Sequence, residues 1–85
     1  MNTQHRISLA QRLKLDRLVR ERDVVMGEIY DAHPDPQATL KECLDWAGAE
    51  LNDRWILATV MLHAYRQELV DEGIANWSHG NFVLK

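Results

Sequence analysis

At 85 residues, 46% hydrophobic and 27% charged, the chain fits one globular domain, which excludes wholesale disorder. A single cysteine, Cys43, excludes an internal disulfide, and no apolar run approaches the roughly 18 residues that a membrane span needs. The net charge of −3 conceals a division: residues 1–22 carry six basic and two acidic side chains, whereas residues 23–85 carry four and eleven. A basic segment on an acidic body can seek an anionic partner or pack against that body. Residues 1–12 lack the apolar run of a signal peptide, and a cytoplasmic location is expected.

Residues 1–7 are expected to be flexible. Ser8-Leu9-Ala10-Gln11 then reads as a capping box that opens a long helix over residues 8–32. Pro34 and Pro36 end it, because proline donates no hydrogen bond and restricts the residue before it. Leu15, Leu18, Val19, Val25, Met26, Ile29 and Tyr30 recur at helical spacing and predict the buried stripe. Arg22 falls inside that stripe. Leu9, Ala10 and Leu13 point elsewhere.

The second helix has two candidate starts. Asp35 could cap with Pro36 at the first helical position, or Thr39-Leu40-Lys41-Glu42 could form a capping box. Leu40, Cys43, Leu44 and Ala47 form its apolar stripe, and Gly48 is a plausible stop. The third helix is predicted to begin near Asn52-Asp53 and to end at Gly73. Trp55, Ile56, Leu57, Ala58, Val60, Met61 and Leu62 surround its axis, which predicts burial on most sides. Farther on, the stripe narrows to Ala58, Leu62, Tyr65 and Leu69. Ile74 to Trp77 and Phe82 to Leu84 read as short strands around a turn at Ser78-His79-Gly80-Asn81.

A helix at 39–47, a turn at Gly48, a long helix ending Leu69-Val70-Asp71-Glu72-Gly73-Ile74, and a hairpin through His79-Gly80 together resemble a winged helix-turn-helix domain over roughly residues 24–85. The resemblance implies an all-α, three-helix domain with a small C-terminal β-hairpin, and either DNA or protein as the partner. The third helix is longer than the family's. It carries Trp55-Ile56-Leu57 where a DNA reader places basic and amide side chains.

No glycine-rich phosphate loop, spaced Cys/His set or Gly-x-Ser-x-Gly elbow occurs, and no enzyme is expected. His33, between Asp31 and Asp35, offers either an acid–base group, a partial metal site, or plain loop chemistry. His63 reads as a core or boundary residue, and Cys43 as a small core hydrophobe. His5 and His79 stand apart from both. Arg22 either snorkels to the edge of its stripe or pairs with a carboxylate, within the chain or across an interface. Trp55, Trp77 and Phe82, with the all-round apolar third helix, either fill the core or form a surface that buries on dimerisation or partner binding. Four phosphates held by Arg12, Lys14, Arg17 and Arg20 would give a log–log salt slope of about −3.6.

The sequence therefore leads to a non-enzymatic interaction protein that regulates or inhibits a larger assembly by docking to it. No cofactor, metal or membrane is expected. Its partner-binding residues are Arg12, Lys14, Arg17, Arg20, Arg22 and Trp55, with a protein as the partner and a homodimer left open. The alternative is a dimeric winged-helix regulator that binds duplex DNA through Arg54, Arg17, Arg20, Ser78, His79 and Asn81.

Overall fold

In the computed structural model, which describes residues 6–85, Ser8 caps helix α1 (Leu9–Ala32). The Gln11 N–H donates to the Ser8 hydroxyl at 3.1 Å, and the Ser8 N–H donates to the Gln11 side chain at 2.9 Å. Each bond satisfies a backbone donor that the helix start leaves free. Ile7 packs against the core. Residues 1–5, His5 among them, lie outside the described residues.

Of the two candidate starts for helix α2 (Leu40–Ala47), the capping box at Thr39 forms. Asp35 caps no helix: its carboxylate accepts from the Gln37 N–H at 2.9 Å, an Asx turn between the prolines. Helix α3 (Ala49–Asp71) begins at Ala49 and not at Asn52-Asp53. Gly48, at φ 89° and ψ 172°, turns the chain within one residue. Asn52 instead closes the end of α2, donating to the carbonyls of Leu44 and Gly48 at 2.8 Å each. Short polar side chains serve either helix end, and sequence alone does not say which.

Helix α3 stops in a Schellman motif. Gly73, at φ 79°, donates to the Val70 carbonyl, and Ile74 donates to the Leu69 carbonyl. The hydrophobic contact that accompanies such a motif is present, with Leu69 and Ile74 both buried in one cluster. Strands β1 (Ala75–Ser78) and β2 (Asn81–Leu84) then pair antiparallel in the register Trp77 to Phe82. His79 and Gly80 both take positive φ, the requirement of a two-residue I′ turn. Ala75, Trp77, Phe82 and Leu84 face α3, and Trp77 donates its indole N–H to Gln67 at 2.9 Å.

Helices α1 and α3 run antiparallel. Gln11 meets Glu72 at one end of the pair, and Glu28 meets Arg54 at the other. Two core clusters form along this axis. Leu15, Leu18, Leu62, Tyr65 and Leu69 pack beneath the hairpin. Val25, Ile29, Ala38 and Cys43 pack beneath α2, with Trp55 half-buried at the edge.

Three burial expectations are corrected. Tyr30 is exposed, because it lies about 100° around α1 from Ile29 and α2 does not reach that side. His63 is exposed and stacks on Trp77, at 5.4 Å between ring centroids. The apolar stretch of α3 is not covered on most sides. Ile56, Leu57 and Val60 are 57–60% exposed, since α1, α2 and the hairpin occupy only part of the circumference.

Candidate interaction surface

The antiparallel pairing of α1 and α3 leaves one broad face of the two helices open. Its centre is a groove of about 370 Å³ lined by Arg20, Val24, Arg54, Leu57, Ala58 and Met61. Val24, Leu57 and Met61 are 56%, 60% and 47% exposed. Ile56 and Val60 extend the apolar ground along α3. Together these five side chains form an exposed apolar stretch along the open face.

Charges frame the groove. Arg54 pairs with Glu28 at 2.6 Å, and both side chains remain half-exposed. Arg17 reaches Glu21 only at 3.8 Å, and a pair so exposed contributes little. Lys14 sits 4.5 Å above the Tyr65 ring, beside Glu68 in the neighbouring cleft. The face therefore alternates cation, apolar side chain and carboxylate, and it is not a uniform basic strip.

The six predicted partner-binding residues do not form one site. Arg20 lines the groove, and Lys14 lines the cleft beside it. Arg17 belongs to the same side of α1, because residues three and four apart share a helix face. Arg12 stands about 140° around the helix from Arg17 and belongs to another side. Arg22 and Trp55 do not line the groove. Arg22 is half-buried and pairs with its neighbour Asp23 at 2.9 Å. Trp55 packs against the second core cluster, so its ring is committed within the fold.

The predicted DNA-contacting residues are also divided. Arg20 and Arg54 share the groove. Ser78, His79 and Asn81 are exposed at the hairpin tip. The hairpin covers α3 from His63 onward, and His63 lies about 14 Å along the helix from Arg54. The tip and the groove are therefore separate places.

Other titratable groups have structural roles. His33 accepts from the Asp35 N–H at 3.0 Å, and its ring lies 5.1 Å from that of Trp46. Among the described residues, no group of three His, Cys, Asp or Glu side chains is placed to hold a metal ion. Burial raises the Cys43 thiol pKa, and the charges of Glu42 and Asp35 add to the rise. Burial likewise raises Tyr65, with Glu68 and Glu72 contributing. Arg66 lies over the Phe82 ring with its Nε unpaired, and burial together with the nearby Arg22 lowers its pKa.

The exposed apolar face lies on the helix whose apolar residues are weighed above as a surface for dimerisation or a partner, although Leu57 and Met61 are not named there as contacts. The signal was present in Ile56, Leu57, Val60 and Met61, which wrap a helix that a chain of 85 residues has little material to cover. Trp46, 60% exposed on α2, was also passed over. No helix among the described residues is long and apolar enough to cross a membrane. Comparison with protein-family models, characterised proteins and solved structures gives no match.

Proposed function

We propose that this chain is a non-catalytic interaction protein, which regulates or inhibits a larger assembly by docking to it through the open face of α1 and α3. One observation carries the reading: an apolar groove with cations at its rim, on two rigid helices. Arginine beside a desolvated apolar centre is the composition of interface hot spots. The docking residues are Arg17, Arg20, Val24, Leu57 and Met61. Acidic side chains interrupt the face at Glu21, Glu28 and Glu68, which favours a protein surface over a phosphate backbone.

The test is quantitative capture on the immobilised chain, with Leu57→Glu and the Arg17→Glu/Arg20→Glu double variant alongside. Val83→Glu, on the outer face of the hairpin, is the control. Proteins retained by the wild type and the control, and lost from both face variants, support the reading. Retention that ignores the face variants contradicts it. Duplex DNA is titrated in parallel across a salt series. Micromolar binding with a steep slope, flattened by Arg17→Glu/Arg20→Glu, would replace the protein partner with the winged-helix, DNA-binding alternative.

A further inference from the structure

We propose that the apolar centre of this face is covered by a second copy of the chain. The two copies form an antiparallel four-helix bundle, in which α1 of each protomer lies on α3 of its partner. The inference rests on the docking face described above and names what covers it while the chain is free of that assembly.

Three observations converge on a second copy. First, α1 and α3 form a single layer with one side bare, and a helical layer needs another layer over its apolar side. The Cα radius of gyration is 15.8 Å, against about 12 Å for a compact chain of this length. The molecule is long and thin, at 57 × 25 × 18 Å. Second, an exposed apolar centre with a charged rim is the anatomy of a protein–protein interface.

Third, the charges match a twofold arrangement. Lys14 and Glu68 stand at one level of the helix pair, and Glu28 and Arg54 at another. A twofold axis parallel to the helices keeps those levels and exchanges α1 for α3 across the interface. Lys14 and Arg17 then meet the partner's Glu68, Glu28 meets the partner's Arg54, and Val24 meets the partner's Leu57 and Met61. The interface is isologous and closes at two copies.

The experiment is sedimentation equilibrium of the chain from about 1 μM to about 1 mM, a range that spans associations from moderate to weak. The wild type is expected to approach twice the 9.9 kDa of one chain. Leu57→Glu, at a position 60% exposed, is expected to keep its helical circular dichroism while its dimer dissociation constant rises at least about 100-fold. A charge exchange supplies the second readout. Arg17→Glu and Glu68→Arg each weaken self-association about 10-fold, and an equimolar mixture of the two recovers at least part of it.

A wild type that stays at one chain's mass up to about 1 mM overturns the second copy. So does a dimer indifferent to both Leu57→Glu and the charge exchange. A monomer that still captures another protein through Leu57 overturns this inference alone. A monomer whose captures ignore Leu57, Arg17 and Arg20 overturns the docking face as well.

Discussion

Leu69 is fully buried on α3, and its backbone carbonyl accepts from Ile74 where the chain leaves the helix for the hairpin. Its side chain lies in a cluster held on three sides by α1, α3 and the hairpin, so the walls cannot easily collapse. Leu69→Ala should therefore fall in the upper part of the range for buried leucine truncation, at about 4 kcal/mol. Stability per residue in small domains gives this chain about 4–13 kcal/mol in all, so the variant would retain little of it at the low end. The melting temperature should fall by roughly 15–30 °C. Urea unfolding followed by far-ultraviolet circular dichroism measures the effect, with the slope m unchanged. Leu57→Ala on the same helix, 60% exposed, is the matched control. At concentrations below the dimer's range it should change stability by less than about 0.5 kcal/mol. A Leu69→Ala cost below about 1 kcal/mol, or equal costs at the two positions, would refute the assignment of core and open face.

Three further outcomes follow from the fold. Gly48→Ala places a Cβ on backbone at φ 89° and ψ 172°, a region essentially reserved for glycine; equilibrium unfolding should show a loss of about 1–3 kcal/mol. Arg66→Met removes an unpaired buried Nε and the repulsion from Arg22; unfolding should become harder by about 1 kcal/mol, and a clear destabilisation would reveal a partner for the guanidinium. Tyr65 holds its proton more tightly folded than unfolded, so its contribution is fully present below the unfolded chain's pKa of about 10 and is lost as pH rises through the higher folded value. Unfolding free energy measured from pH 9 upward should decline less steeply in Tyr65→Phe than in the wild type.

The element order was legible because it is local chemistry. Ser8 and Thr39 announce their helices through capping boxes, Gly73 stops α3, and the Ser78–Asn81 turn needs residues that tolerate positive φ. The start of α3 was misread because Asn52 suits a helix start by composition, yet it serves the end of α2. Burial was harder to read because it depends on which neighbours arrive. Tyr30 fits its helix's periodicity and still faces outward, and His63 stays exposed although Trp77 of the hairpin stacks on it. The apolar girdle of α3 misled in a useful way. Its residues call for cover on several sides, and the chain supplies only part of it. For the same reason Trp55, a promising anchor by residue type, is held within the fold, whereas Leu57 and Met61 are open.

The central claim is that the face of α1 and α3 is occupied in solution. The most direct measurement is an isotope-filtered NOE experiment on a mixture of labelled and unlabelled chains at about 1 mM, which reports only contacts between copies. The account predicts cross-peaks from Val24 to the methyl groups of Leu57 and Met61 on the other copy, and their disappearance in Leu57→Glu. A sample of the same concentration with no intermolecular cross-peaks at these residues would contradict it.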